Sequence, residues 1–411
     1  MKDKKLYEQI LGLSSPWFVS DVALELSEGR VSIEVSHRDK HQFCCPKCEA
    51  PSSIHDHRER SWQHLPTCQL LTIIATRVPR VRCRTHGVLQ VRVPWAEENS
   101  SLTALFERLV IDWLLVANQT AVSERLGVSW DQVDTVRRRA VERGLLRRKD
   151  TSVENYHVDE TSFKKGHEYV TVLSSGDSGH VMEVFDGKEK KPLSDHFGQL
   201  SEEHLQAVQT ISMDMSQSFI GAVQANFANW EQIICIDKFH ISQYFSKAVN
   251  SVRYNEHKEL NKEFGESLLK GTKYDWQRNS QKTDNRGRRH FMELTRSNLR
   301  TARAWAIKET AGQLWDYTSR TWAKKAWERL LGWIARCRIN PIKEVGRTVK
   351  NHLWGILNAI INNVTNARAE SLNSRIQGLK KQACGYRNRA RFREAIMFHF
   401  GGLDLYPGEV K

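Results

Sequence analysis

Two sets of residues in this chain have the types and spacing to hold metal ions. The first is soft. Phe43-Cys44-Cys45-Pro46-Lys47-Cys48 places Cys45 and Cys48 at the two-residue gap of a zinc half-site, and Cys83-Arg84-Thr85-His86-Gly87 offers a second half. Zn²⁺ accepts three thiolates and one imidazole in a tetrahedral shell, and four protein ligands leave no position for water, so such a site is structural. Cys44 could replace Cys45 in register, and Cys68 reads as simply buried.

The second set is hard. Val153–Val158 reads as a strand that delivers two carboxylates, Asp159 and Glu160, at its end. Two β-rich segments follow, Glu168–Leu173 and His180–Phe185, joined by the turn Ser-Ser-Gly-Asp-Ser-Gly. Asp159 and Glu160 alternate across the strand, so only one faces a common site, and the residues alone do not choose between them. Two-metal phosphoryl transfer needs several acidic oxygens around a pair of Mg²⁺ ions. Further carboxylates stand where they could join. Asp214 ends the β-like run Gln209–Met213 and precedes a helical segment, Phe219–Phe227. Asp237 ends Gln232–Ile236 and leads into a helix, Lys238–Ala248, that carries His240. Far downstream, Asn366, Glu370, Asn373 and Gln377 share one helix face, either a metal-binding face or a solvated stripe. Strands alternating with helices predict a mixed α/β sheet with acids at strand ends.

The elements that position the soft set come first in the chain. Residues 4–11 predict a short helix, Trp17–Leu26 and Arg30–Ser36 a hairpin, and Leu70–Val78 a strand between the cysteine knuckles. After Pro94 the pattern turns helical, with Leu102, Leu105, Leu109 and Trp113 at helical spacing. Val122, Leu126, Val128, Val133 and Val136 supply the small core of a helix-turn-helix, with Gly127 at the turn. Ser129 and Gln132 make a capping box for its second helix.

The whole chain carries 62 Lys+Arg against 48 Asp+Glu, a formal charge of +14, which favours an acidic polymer as partner, nucleic acid first. A helix that opens at Trp130 and Gln132 and runs on through Arg137, Arg138, Arg139 and Arg143 suits major-groove recognition, with arginines on flanking phosphates. His55, His57 and His64 read as surface or DNA-facing residues. No run reaches the roughly 18 apolar residues of a membrane span. The opening MKDKKLYEQI has no signal-peptide core, so a cytoplasmic, nucleoid-associated protein with reduced thiols is expected.

VDETSFKKGHEYVTVL, SMDMSQSFIGAV, CIDKFHI and NARAESLNSRIQGLKKQACGYRN occur in that order. Together with the cysteine knuckles, HDHRERSWQHLP and the helix-turn-helix, they resemble the bacterial insertion-sequence transposases of the ISL-three type over roughly residues 10–400. The resemblance implies a DDE catalytic core of ribonuclease-H-like fold with Asp159, Asp214 and Glu370 as its triad, and so selects Asp159 over Glu160. His86 stands where a cysteine is more usual. The motif of Asp237 and His240 would lie beside the site as an auxiliary pair. On physical grounds Asp237 caps the next helix, while His240 orients a site carboxylate or contacts phosphate. Arg368 points off the Glu370 face, toward a DNA backbone.

The expected architecture is therefore multidomain α+β. An N-terminal domain with a zinc ribbon (1–96) and a helix-turn-helix (97–150) precede a ribonuclease-H-like α/β core (151–254 and 346–411), which an all-helical insertion (255–345) interrupts. Trp315, Trp322, Ala326, Leu330 and Ile334 are expected to form a packed stripe of that insertion, with Trp305, Trp327 and Trp333 also in its core. Lys282–Arg289 is expected to be an exposed basic loop, and Arg389–Phe400 a closing helix that buries Phe392, Ile396 and Phe400. The expected cofactors are two Mg²⁺ (or Mn²⁺) ions per active site and one structural Zn²⁺. The expected partners are double-stranded DNA, as terminal inverted repeats and target, and further copies of the chain in a dimer or larger assembly. Alternatives are a nuclease or resolvase of the same fold, and a DNA-binding regulator with an inactive core.

Overall fold

The computed structural model describes residues 3–149, 152–164, 166, 168–277, 285–364 and 367–408, with only the backbone of 285–290. It divides into two compact units, Met1–Lys149 with Gly402–Lys411, and Asp150–Gly401.

The first unit opens with helix α1 (Asp3–Ile10) and the expected hairpin, β1 (Trp17–Glu25) antiparallel to β2 (Arg30–His37). β3 (Ser53–Thr67) and β4 (Leu70–Cys83) form a second, longer antiparallel hairpin. β2 runs parallel to β4, and β5 (Gly87–Gln90) pairs with the far end of β4. The long hairpin turns at Cys68 and Gln69, whose φ angles of 51° and 67° suit the right-handed twist of the strands they join. Cys68 is consequently exposed at the tip rather than buried as the sequence suggested. Trp62 and Trp95 meet edge to face at 5.6 Å, Trp17 and Trp95 at 5.1 Å, and with Ile33, Ile74 and Val78 they anchor the core beneath this sheet.

Three helices follow: α2 (Ala104–Leu114), α3 (Gln119–Leu126) and α4 (Trp130–Arg147). Each has a side-chain N-cap, from Thr103, Asn118 and Ser129, and Gly127 ends α3 with a φ of 63°. The capping box of Ser129 and Gln132 is present in both directions. The buried face of α2 is Phe106, Val110, Ile111 and Leu114, one residue round from the expected Leu105, Leu109 and Trp113, which are half-buried. His64 faces neither surface nor ligand: it is buried, with Nδ1 2.9 Å from Thr103 Oγ1. The chain's end returns to this unit. Arg143 donates to the Leu405 carbonyl, Arg147 to Asp404 and the Tyr406 carbonyl, and the Tyr406 hydroxyl donates to Asp112 at 2.7 Å.

The second unit is built on a five-stranded sheet. β6 (Asn155–Lys164), β7 (Glu168–Ser175) and β8 (Val181–Asp186) form an antiparallel meander. β9 (Thr210–Met213) and β10 (Ile234–Ile236) extend it in parallel, giving the order β10-β9-β6-β7-β8. α5 (Lys190–Gly198) and α6 (Glu202–Ala207) connect β8 to β9, and α7 (Gln217–Asn226) and α8 (Trp230–Ile233) connect β9 to β10. The crossovers pack Phe197, Phe219, Val223 and Phe227 against Tyr156, Ile211 and Met213.

A long α9 (Lys238–Phe264) then opens a helical series: α10 (Lys273–Gln277), α11 (Asn285–Arg296), α12 (Arg300–Gln313), α13 (Arg320–Arg336), α14 (Asn340–Asn351) and α15 (Leu353–Ile361). The expected tryptophan stripe is not continuous. Trp315 lies in a 3₁₀ turn, Leu314–Asp316, which breaks the helical count before α13. The buried face of α13 is Ala323, Trp327, Leu330 and Ile334, which turns Trp322 outward at 59% exposure and Trp333 at 39%. Of the supposed basic loop, residues 282–284 lie outside the described residues, while Asn285–Arg289 begin α11 rather than a loop. Two helices close the unit, α16 (Ala367–Gln382) and α17 (Arg389–Phe400). α17 buries Phe392 and Ile396 as expected, but Phe398 rather than Phe400 goes inside. Among the described residues no helix is long and apolar enough to cross a membrane.

Candidate functional site

In the second unit, strand register brings the aspartates together. Asn155, Tyr156 and His157 of β6 pair with Thr210, Ile211 and Ser212 of β9, and Met213 of β9 pairs with Ile236 of β10. Continuing both ladders sets Asp159, Asp214 and Asp237 at one level across three neighbouring parallel strands. The Asp237 N–H donates to the Met213 carbonyl at 3.0 Å, which carries the ladder to that level. The sequence had set Asp237 beside the site; register puts it in the row.

Local bonds fix each member. Asp237 is the buried N-cap of α9: its Oδ1 accepts the Phe239 N–H at 2.8 Å, as expected. His240, one turn along, holds Nε2 3.6 Å from Asp237 Oδ2 and 4.0 Å from Asp159 Oδ1. Asp214 Oδ1 accepts the Ser216 N–H at 2.9 Å, and Asp159 Oδ1 accepts the Glu160 N–H at 2.7 Å.

α16 supplies the opposite wall. Asn373 Nδ2 donates to Asp159 Oδ2 at 2.6 Å. Gln377 Nε2 donates to Thr161 Oγ1 at 2.7 Å and to the Ser162 carbonyl at 3.1 Å, which Lys380 also reaches at 2.8 Å. Asn373 and Gln377 of the predicted polar face thus lie along β6, and the face extends to Lys380, which the sequence did not single out although the same spacing reaches it; Glu370, one turn earlier, is exposed. Asn366, the first residue assigned to that face, lies outside the described residues. Arg368 is directed to the β7–β8 turn, donating to the carbonyls of Gly176 and Asp177 at 2.6 and 2.8 Å.

The acids share one electrostatic field. Burial pushes Asp159 up to about 6; the Glu160 N–H and His240 act against the rise, and Asp237 and Asp214 add to it. Burial and then Asp237 raise Glu370, with His240 opposing. Burial also raises Glu160, with Lys188 opposing and Asp214 contributing. A set of hard oxygen donors that raise one another's proton affinity suits a divalent cation. They do not form a tight cage: among the described residues the one group of three or more Cys, His, Asp or Glu ligand atoms all within 4.8 Å of one another is Cys45, Cys48, Cys83 and His86.

That cage is in the first unit. Cys48 Sγ lies 3.7 Å from Cys83 Sγ, and His86 Nδ1 lies 3.7 and 3.6 Å from the sulfurs of Cys45 and Cys83. Zinc–sulfur bonds of about 2.3 Å make tetrahedron edges of about 3.8 Å. The four residues fit a structural zinc ion, and Cys44 stays outside, exposed and bridged to Pro51. The backbone N–H groups of His86 and Thr85 pull the Cys83 thiol down to about 6, favouring the thiolate a metal needs.

The arginine-rich helix α4 divides in two. Arg137 is buried against Asp134 at 2.5 Å and Gln119 at 3.2 Å. Arg139 and Arg143 surround Glu107, a fully buried carboxylate, at 3.0 and 3.4 Å, and Arg143 also pairs with Glu97 at 2.6 Å. These three guanidiniums hold the unit together, whereas Arg138 and Trp130 are exposed. Gln132 is committed to its capping box and to Ser101 Oγ at 3.0 Å.

Comparison with known proteins gives a consistent set of likenesses. Residues 157–396 match a family model described as a transposase of the DDE, ISL3 type. Residues 91–141 match the helix-turn-helix domain of transposase family ISL3, and residues 41–86 match the zinc-finger of transposases IS204/IS1001/IS1096/IS1165. Over 99% of its length the chain is 26% identical to 98% of the transposase for insertion sequence element IS1557 from Mycobacterium tuberculosis. It is 24% identical, over 98% of its length, to 99% of the transposase for insertion sequence element IS1001 from Bordetella parapertussis.

Proposed function

The chain belongs to the ISL3 family of transposases, and from that premise we propose that it binds the terminal inverted repeats of its own insertion sequence, cuts the element ends and joins the freed 3′ ends to target DNA. What supports the reading is that Asp214 and Asp237 both raise the proton affinity of Asp159, that Asp237 also raises that of Glu370, and that Asn373, on the same helix as Glu370, bonds Asp159. A meander of three antiparallel strands extended by two parallel ones supports a ribonuclease-H-like core. Residues 255–345, from within α9 to within α14, read as its helical insertion.

Asp159, Asp214 and Glu370 would hold two Mg²⁺ or Mn²⁺ ions. Bound there, such ions supply Lewis acidity to the attacking and leaving oxygens of a phosphodiester. The chain's own residues prepare that site. Asn373 holds Asp159 in one orientation, Asp237 ties the row to the start of α9, and His240 sits between the two carboxylates. Water adds at phosphorus and the P–O3′ bond breaks, leaving a 3′-hydroxyl on the element and a 5′-phosphate on the flank. That hydroxyl then displaces the 3′ oxygen of a target phosphodiester, so one bond forms as one breaks and no protein residue is esterified. Trp130 and Arg138 on the exposed side of α4 are the residues of that helix we assign to repeat DNA, and two ends held together require at least a dimer.

Asp214→Asn is expected to abolish cleavage of a terminal-repeat duplex in Mg²⁺ while repeat binding persists; wild-type activity in the variant would remove Asp214 from the metal site. Supplying pre-cut ends separates transposase from nuclease, since a nuclease would not join them to a second duplex.

A further inference from the structure

Helix α9 begins inside the acidic site and leaves it as 27 residues of continuous helix. Ile241, Phe245, Ala248, Val249 and Val252 pack inward. On the other side His240, Tyr244, Lys247, Ser251, Tyr254 and Lys258 follow one another at steps of four, three, four, three and four, which makes a single straight stripe. Tyr244 and Tyr254 are 43% and 50% exposed. Lys247 lies 6.0 Å from the ring of Tyr244, and Lys258 lies 4.4 Å from that of Tyr254.

The charge of this face has one sign. Its lysines are Lys247 and Lys258, and from Lys238 to Lys258 no exposed residue is a carboxylate. The one acid in that stretch, Glu256, is buried and accepts the N–H groups of Arg300 and Thr301. Acids return only beyond the stripe, at Glu259 and Glu263. A helix face that is merely solvated mixes signs along its length. Lysine and tyrosine are both phosphate-contacting side chains on duplex DNA.

We propose that this stripe is the track on which the terminal base pairs of the element lie when its 3′ end occupies the acidic site. The inference rests on the transposase reading. It commits to element DNA rather than flank because the cut 3′ end must be kept for joining, whereas the flank departs. From Tyr244 to Lys258 the helix rises about 21 Å, the length of about six base pairs at roughly 3.4 Å each.

The test is a hydroxyl-radical footprint of full-length protein on a terminal-repeat duplex with and without flanking DNA, comparing wild type with Lys247→Gln/Lys258→Gln and with Tyr254→Ala. Both variants should lose protection of about the last six base pairs of the element while keeping the inner-repeat footprint. For the double variant the slope of log affinity against log salt on the pre-cut end should become shallower by about 1.8. The retained inner footprint also reports that the variants are folded. Unchanged terminal protection would overturn the track, and so would protection lost only on the flank. Wild-type protein that protects no terminal repeat would sink the transposase reading, and this inference with it.

Discussion

Asn373 and Asp159, 214 positions apart in the chain, meet at 2.6 Å, with the amide Nδ2 donating to Oδ2. Asp159 Oδ1 already accepts the Glu160 N–H, so the carboxylate is held at both oxygens. An amide in this position restrains the ligand without adding charge. Asn373→Ala is expected to lower terminal-repeat cleavage by about 10–100-fold and to raise the Mg²⁺ concentration needed for half-maximal rate. Repeat binding should not change. A Mg²⁺ titration that superimposes on the wild type would show that Asn373 does not position Asp159.

Asp237 combines two functions that substitution can separate. Asparagine caps a helix about as well as aspartate, whereas alanine costs about 1 kcal/mol. Asp237→Asn should therefore keep the wild-type thermal midpoint but lose cleavage activity, because it removes one charge from the row of Asp159 and Asp214. Asp237→Ala should lose both. Full cleavage by the Asn variant would reduce Asp237 to a cap alone.

His64 ties stability to pH. Its ring is buried beside Thr103, the N-cap of α2, and burial pushes the imidazole down from 6.5 to about 4. The unfolded chain takes up a proton below its ordinary value that the folded chain refuses until about pH 4. The stabilising contribution is thus complete above pH 6.5 and is lost as pH falls through that window, at up to about 1.4 kcal/mol per pH unit. Thermal midpoints recorded at stepped pH should fall across it, and His64→Gln should flatten the fall. An equal slope in the variant would place the effect elsewhere.

The Cys/His cage makes a stoichiometric prediction. Purified protein should carry about one zinc per chain by elemental analysis, and Cys83→Ser should lose it. Chelation should lower the thermal stability of the first unit, because Cys45 and Cys48 are joined to Cys83 and His86 across 35 to 41 positions of chain. Metal-free protein of unchanged stability would refute the site.

Glu107 is fully buried among Arg139, Arg143 and the Ser100 hydroxyl, which donates to it at 2.7 Å. Glu107→Ala leaves two inward guanidiniums short of a partner and should cost about 3–5 kcal/mol in denaturant unfolding. A loss below about 1 kcal/mol, the range of a surface pair, would mean that Glu97 alone suffices.

What the chain determined by itself was local. The two-residue gap of Cys45 and Cys48, the Ser129–Gln132 box, Gly127 at the end of α3 and the acids after β9 and β10 are all signals read within a few positions, because caps, turns and knuckles are made by neighbours. Family motifs added an ordered set of acids that no single segment could supply. Tertiary structure decided the remainder. Strand register, a property of three chain segments at once, brought Asp237 level with Asp159 and Asp214. Packing turned Arg139 and Arg143 inward and Trp322 outward, since a buried carboxylate more than thirty positions away, Glu107, and a 3₁₀ turn set which face of each helix is dry. Periodicity names the faces of a helix; only its neighbours decide which one is buried.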